Sequence, residues 1–239
     1  AAALEPKDLK KLKSVGYCVD CDLTDANFSE SDLRGVDLRG ADLVRSDLRR
    51  SQLQEIDLSN LETVGQTLTI RNNDALTNLD QMSSLTIIGG DLILLGNQLL
   101  TDVEGLSALT SVQSGITIST NDALTQLNGL SNLTVASSYM HISYNKALTS
   151  LDGLSSLEKL GGGLQISSNF LLTSLEGLSN LTTVNGSLVI KNNDSLCQID
   201  AETFAAGITV TGEVEVSGNE GDCACDTGSA SSCSDTGTG

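Results

Sequence analysis

Apolar and polar positions follow one fixed pattern through most of this 239-residue chain. From Leu61 onward the pattern reads L-x-x-V-x-x-x-L-x-I-x-x-N-x-x-L-x-x-L-x-x-L-x-x, and it recurs every 24 residues without an insertion through six repeats. A fixed period of roughly 20–50 residues is the signature of a solenoid, in which each repeat forms one coil stacked on the next. The seven apolar positions of each repeat therefore predict a core that neighbouring coils share.

Each repeat contains one short segment whose residues are expected to point alternately inward and outward, as in Leu164–Ile166 and Leu188–Ile190. A period of two predicts a short strand with one face turned inward. The leucines that follow lie three residues apart, with glycine and polar turn-forming residues between them. This spacing and composition predict turns at these leucines, and no helix.

One asparagine stands at the end of each predicted strand. Its side chain offers both a donor and an acceptor, so it can satisfy peptide groups that a bent coil would leave unpaired. We therefore predict that these residues point inward and bond the backbone of adjacent coils, as a structural ladder. They are Asn73, Asn97, Asn121, Asn145, Asn169 and Asn193.

A second, shorter repeat precedes the first and steps by five residues from Cys21 to Leu58. Each unit has a small residue, then Asp or Asn, then Leu or Phe, as in Ala26–Phe28 and Val36–Leu38. This segment resembles the pentapeptide-repeat family. The resemblance implies a right-handed, four-sided β-helix with four units per coil, so the eight units would form two coils.

The 24-residue repeats resemble the receptor L-domain type of leucine-rich repeat, which occurs in receptor ectodomains, fungal wall proteins and many bacterial surface proteins. We therefore expect an all-β solenoid in which two pentapeptide coils continue into a right-handed, leucine-rich solenoid. Residues 208–219 fit the repeat only after a shift of two residues, as a capping repeat would.

The ends of a solenoid must be covered, and the sequence suggests how. Apolar residues at helical spacing within a lysine-rich stretch predict a short capping helix over residues 5–14. The expected domains are an N-terminal cap at 1–16, pentapeptide coils at 17–60 and the leucine-rich solenoid at 61–219. Residues 220–239 form a tail rich in Cys, Gly, Ser and Thr, of which Asp226–Gly239 reads as a flexible linker or spacer.

The six cysteines lie near the two ends of the chain, which favours disulfides and an oxidising compartment, so we expect a secreted or cell-surface protein. Our preferred pairs are Cys18–Cys21, Cys197–Cys223 and Cys225–Cys233, although four C-terminal cysteines allow three pairings. A zinc site at the same four cysteines is the rival interpretation. It lacks a nearby histidine and the usual C-x-x-C spacing.

Acidic residues dominate the chain beyond residue 60, where four basic residues face nineteen acidic ones, a formal charge of −15 out of −18 overall. Binding to DNA, RNA or anionic membranes requires the opposite sign of charge, so nucleic acid is not an expected partner. No apolar run reaches the 20 or so residues of a membrane span, and direct membrane insertion is not expected either.

The fourth repeat departs from the small, polar outer surface of the others. It holds the only histidine and two of the three tyrosines, namely Tyr139, His141 and Tyr144. Because tyrosine is enriched in binding hot spots, we predict that this patch recognises a protein or a glycan. The alternative is that the aromatic residues merely pack against one another. The expected flanking contacts are Thr117, Ser119, Gln165 and Ser167.

The sequence shows no nucleophile with a matching base, and we predict neither an enzyme nor a cofactor or metal site. The first functional hypothesis is an extracellular adhesion or recognition module. The alternative is a structural subunit that self-associates into an extracellular filament or surface layer. Ice binding is a third hypothesis, and its basis is a column of threonines at 24-residue spacing, Thr77, Thr101, Thr125, Thr149 and Thr173.

Overall fold

The computed structural model describes residues 61–223 continuously. Before residue 61 it describes Leu12, Tyr17, Cys18, Cys21, Leu23, Ala26–Phe28, Glu30, Ser31, Leu33, Val36, Leu38 and Leu58.

Each coil of the described solenoid contributes one four-residue strand to a parallel sheet of seven strands, here named the long sheet. Neighbouring strands pair in register, with Leu92 beside Ile116 and Ile116 beside Met140. The strands are β2 (Leu68–Arg71), β4 (Leu92–Leu95), β6 (Ile116–Ser119), β8 (Met140–Ser143), β10 (Leu164–Ser167), β12 (Leu188–Lys191) and β14 (Val214–Ser217).

A second parallel sheet of seven two-residue strands lies earlier in each coil. The two sheets give residues 61–223 the architecture of a β-solenoid, as the repeats predicted. The short strands are β1 (Thr63–Val64), β3 (Ile87–Ile88), β5 (Ser111–Val112), β7 (Val135–Ala136), β9 (Lys159–Leu160), β11 (Thr183–Val184) and β13 (Thr209–Val210).

The third part of each coil contains the leucines for which turns and no helix were predicted, and the structure corrects this prediction. The leucines spaced by three residues form single 3-10 turns, because their backbone N–H groups bond the carbonyl three residues earlier, as from Leu130 to Leu127 at 2.8 Å. These turns are η1 (Asp80–Met82), η2 (Glu104–Leu106), η3 (Asn128–Leu130), η4 (Asp152–Leu154) and η5 (Glu176–Leu178).

The sixth coil replaces the 3-10 turn with an α-helix, α1 (Gln198–Gly207), which the sequence analysis missed. The segment lacks the glycine and serine that interrupt the corresponding leucines of earlier coils. Ala201 is buried, and Phe204 and Ala205 pack against the edge of the core. The helix explains why the next coil fits the repeat only after a shift of two residues.

Glycine at the second position of η2 to η5 sets how closely the coils stack. A Cβ atom added at Gly129 would overlap the carbonyl oxygen of Val103 in the preceding coil, and the same holds at Gly105, Gly153 and Gly177. A side chain at these positions would therefore push two coils apart.

The asparagine ladder occupies the core as predicted. Asn145 lies fully buried, and its Nδ2 donates to the carbonyl of Ile118 in the preceding coil at 2.9 Å. Its Oδ1 accepts the backbone N–H of Asn121 at 3.1 Å. The ladder continues to Asn219, whose Nδ2 donates to Oε1 of Gln198 in α1 at 3.0 Å. Helix α1 therefore caps the last rung with a side chain.

The described residues before Leu61 carry the five-residue repeat into the same core. Leu23, Ala26, Phe28 and Leu33 are buried. The N–H of Ala26 donates to Leu23 at 3.0 Å, and that of Ser31 donates to Phe28 at 3.0 Å. Of the predicted capping helix at residues 5–14, only Leu12 is described, and it is helical and buried.

Two disulfides agree with the predicted pairs, Cys18–Cys21 and Cys197–Cys223. A disulfide sulfur is not the thiolate that zinc binds. Cys197 also forms isolated β-bridges with Glu220 and Gly221, so these first residues of the predicted tail pair with the end of the solenoid. The predicted spacer, residues 226–239, lies outside the described residues. The predicted pair Cys225–Cys233 lies outside the described residues.

Candidate functional site

The outer face of the long sheet presents two side-chain columns, because alternate strand residues point away from the core. Inward residues such as Met140 and Ile142 are fully buried. The first outward column runs through Thr69, Ile93, Thr117, His141, Gln165 and Val189. The second runs through Arg71, Leu95, Ser119, Ser143, Ser167 and Lys191.

Tyr139 and His141 form an aromatic pair on this face. Their ring centroids are 4.7 Å apart and their planes are tilted by 37°. Tyr139 immediately precedes β8, and its ring lies against Gly115 of the preceding coil, where an added Cβ would overlap it. Gly115 therefore makes the space in which the tyrosine ring can lie beside the histidine.

His141 is half-buried, and this burial lowers the pKa of its imidazole below the ordinary value of 6.5. Loss of solvent disfavours the charged form, so the ring is neutral at pH 7. Neither its nitrogens nor the Tyr139 hydroxyl has a hydrogen-bond partner among the described residues. A neutral imidazole offers one donor and one acceptor to a ligand.

The structure keeps two of the four predicted flanking residues beside this pair. Thr117 and Gln165 occupy the register positions on either side of His141. The other two, Ser119 and Ser167, are buried and have hydrogen-bond partners within the sheet, and their role as ligand contacts stays a prediction. Ser119 bonds the hydroxyl of Ser143 at 3.0 Å, and Ser167 accepts from the Gln165 amide at 3.0 Å.

Tyr144 makes no ring contact with this pair among the described residues, and the three-residue patch stays a prediction. It follows the last residue of β8, five residues beyond Tyr139, which is about 16 Å along a strand. Its φ of 57° is in the left-handed region. That conformation costs a side-chain-bearing residue roughly 1–2 kcal/mol. Its side chain is 54% exposed, so packing does not offset this cost.

Two exposed apolar residues near Tyr144 were missed, Phe170 and Leu171 in the next coil. The repeat pattern places them directly after Asn169, where other coils mostly have a polar residue and alanine. An apolar residue at an outward turn position is the sequence signal that could have identified these two residues.

The threonine column has a structural role. The hydroxyl of Thr101 donates to the carbonyl of Thr77 at 3.0 Å, and that of Thr125 donates to Thr101 at 3.2 Å. Thr149 and Thr173 continue the series. Four of the five hydroxyls therefore donate to the coil before them, and ice binding stays a prediction.

A cleft of about 360 Å³ between η5 and α1 includes Glu176, Asp200 and Phe204, and none of its lining residues belongs to the long sheet. No group of His, Cys, Asp and Glu within the described part has a metal-binding arrangement. None of the described helices is long and apolar enough to cross a bilayer.

Comparison with known proteins identifies one segment. The pentapeptide-repeat family matches residues 21–60 with eight copies, as the five-residue step predicted. The match does not extend into the 24-residue repeats, whose resemblance to L-domain repeats stays a prediction. Neither the comparison with curated proteins nor that with solved structures finds a match to the chain.

Proposed function

We propose that this protein is a non-enzymatic binding module of the cell surface or extracellular space, which recognises a glycan or protein on the outer face of the long sheet. The observation that carries the proposal is the Tyr139–His141 pair. It is the one aromatic pair in the described residues.

The chemistry around this pair favours a glycan over a protein as the ligand. The Tyr139 hydroxyl, the His141 nitrogens and the Thr117 hydroxyl make no hydrogen bonds within the described residues. An aromatic ring with several unpaired polar groups beside it suits a ligand that has an apolar face and many hydroxyls. The sheet holds these groups on paired strands, so little ordering is needed on binding.

We further infer that residues 61–219 form a leucine-rich, L-domain-like continuation of the pentapeptide coils. The support is the insertion-free 24-residue period, the asparagine ladder and the in-register long sheet. An extracellular location is supported by the two disulfides, which persist in oxidising compartments. The net charge of −18 argues against nucleic acid as a partner.

The alternative function is a structural subunit of an extracellular filament or surface layer. One observation favours it. Val214 in the last coil is 53% exposed, whereas Leu188, the matching residue of the coil before it, is fully buried. An uncovered strand edge is a surface on which further copies can stack.

The test of the glycan proposal is binding of the whole chain to an array of immobilised oligosaccharides. We expect the Tyr139→Ala/His141→Ala double variant to lose at least tenfold in apparent affinity while its thermal unfolding is unchanged. The matched control is Thr69→Ala, which lies in the same column three coils away. Binding that survives the double substitution would contradict the proposal. Ordered polymers in electron micrographs of the wild type would favour the filament.

A further inference from the structure

We propose that a second surface, the turn ridge formed by Tyr144, Phe170 and Leu171, is a docking site for an apolar, basic polypeptide segment of another protein. The ridge is distinct from the Tyr139–His141 pair, and the proposal does not depend on the glycan proposal above.

The coil register places the three residues in two stacked turns, with Tyr144 beside Ser168 and with Phe170 and Leu171 two and three residues after Ser168. Ser143 pairs with Ser167, so the turn after β8 stacks directly on the turn after β10. The backbone N–H of Tyr144 bonds the carbonyl of Ser167 at 3.1 Å, and that of Asn145 bonds Oδ1 of Asn169 at 3.1 Å. Phe170 and Leu171 follow Asn169 at once on the outer side of the same turn.

The ridge is the place where large apolar side chains concentrate on the outer turn. Tyr144 is 54% exposed, Phe170 37% and Leu171 51%. Exposed apolar residues scattered singly need no explanation, whereas neighbouring ones on two adjacent coils form a patch, which is typical of an interaction site.

The backbone at Tyr144 is a second, independent observation. All seven coils place a residue with positive φ at this point, and apart from Tyr144 each is Asn, Gly, Thr or Ser. Thr120 supports its conformation with a hydroxyl contact to Ser119 at 3.2 Å. Tyr144 has no such bond, and most of its ring faces solvent. Strain that local packing does not offset is characteristic of binding surfaces.

The surrounding charges identify the partner's chemistry. The basic neighbour, Lys146, is already paired with Asp122 at 2.7 Å. On the other side of Phe170, Asp194 and then Glu220 occupy the same turn position in the next two coils, and neither makes an ion pair with the described residues. Residues 61–239 carry a formal charge of −15. A segment with apolar side chains for the ridge and a basic residue for Asp194 complements this arrangement.

The probe is a labelled synthetic peptide of sequence KLLKLLK, titrated against the whole chain at physiological salt by fluorescence polarisation. We expect it to bind at least tenfold more tightly than ELLELLE and than KSSKSSK. Tyr144→Asn should weaken KLLKLLK binding at least tenfold without lowering the unfolding temperature, because Asn occupies this position at Asn72 and Asn192.

Two matched controls separate the ridge from general acidity. Thr120→Asn makes the same kind of change in the same turn one coil away from Tyr144. Leu99→Asp matches Leu171→Asp, because Leu99 has the same place in its coil and is 52% exposed. We expect full peptide binding by both controls and by Tyr139→Ala/His141→Ala, and a tenfold loss for Leu171→Asp.

Three outcomes would overturn the proposal. Equal peptide binding by the wild type and Tyr144→Asn removes the ridge as the site. Equal binding of KLLKLLK and ELLELLE removes the basic partner. A dimer that sedimentation equilibrium detects in the wild type but not in Tyr144→Asn would make a second copy of this chain the occupant instead.

Discussion

At the end of every long-sheet strand, the inward residue is asparagine in all seven coils, whereas the outward residues on either side of it change from coil to coil. Asn145 bonds the preceding coil through Ile118 and Asn121. Its outward neighbours, Tyr144 and Lys146, belong to no ladder. A residue that is bonded to another coil cannot change without leaving groups in that coil unpaired. The interior pattern is therefore the same from coil to coil, whereas the outer surface is free to acquire function.

Breaking the ladder should have the largest effect. Asn145→Leu removes the side-chain donor to the Ile118 carbonyl and leaves the N–H of Asn121 without its partner. We expect the free energy of unfolding, measured by urea denaturation, to fall by about 3 kcal/mol or more. Asn128→Leu is the matched control, because Asn128 is an exposed asparagine of the same region. A loss below about 1 kcal/mol for Asn145→Leu would contradict the structural role of the ladder.

Separating two coils should come next. Gly129→Ala places a methyl group on the carbonyl of Val103, and we expect a loss of about 2–3 kcal/mol in the free energy of unfolding. Gly207→Ala is the control, since a Cβ at Gly207 meets nothing within 4 Å. Equal stability of the two variants would show that the coils can move apart without cost.

The outer position should respond in the opposite direction. Tyr144→Asn relieves a left-handed backbone that suits tyrosine poorly. We expect the free energy of unfolding to rise by up to about 1 kcal/mol. A stable variant that has lost binding separates function from folding at this turn. Destabilisation by more than about 1 kcal/mol would instead show that Tyr144 belongs to the scaffold.

The smallest effect should come from His141. Because burial lowers its pKa, the folded state binds this proton less readily than the unfolded chain does. The contribution of neutral His141 to the free energy of unfolding is fully present above pH 6.5. It is lost as the pH falls from 6.5 through the lower pKa that His141 has in the folded state.

The measurement is direct, because the chain holds one histidine and its ring signals in a proton NMR titration are unambiguous. We expect a midpoint below 6.5 in the folded protein, and a return toward 6.5 in Tyr139→Ala, where the ring becomes more exposed. A wild-type midpoint at or above 6.5 would mean that the imidazole is not desolvated. Comparing the wild type with His141→Gln across the same pH range isolates the effect on stability.

Prediction from the sequence succeeded for residues that have the same structural role in every coil. The asparagine ladder, the long-sheet strands and the Cys197–Cys223 bridge follow from spacing, because apolar burial and backbone pairing repeat identically in each coil. Helix α1 was missed because it interrupts the 24-residue period. It lies in the sixth coil, and no further full coil follows it among the described residues.

The candidate site was harder to predict because contacts between side chains depend on more than distance along the chain. Tyr139 and His141 are two residues apart and meet, whereas Tyr144 lies three residues beyond His141 and turns onto another surface. Ser119 and Ser167 occupy outward strand positions, yet both are buried.

Periodicity in the sequence was therefore enough to establish the repeating coil, its inward residues and the ladder, because these depend on contacts that recur every 24 residues. Which outward residues share a surface depends on how adjacent coils stack. Coil stacking brings Tyr144 beside the turn of Phe170 and Leu171, and it lets Gly115 admit the Tyr139 ring. Neither contact recurs in the other coils, so the spacing of residues along the chain could not predict it.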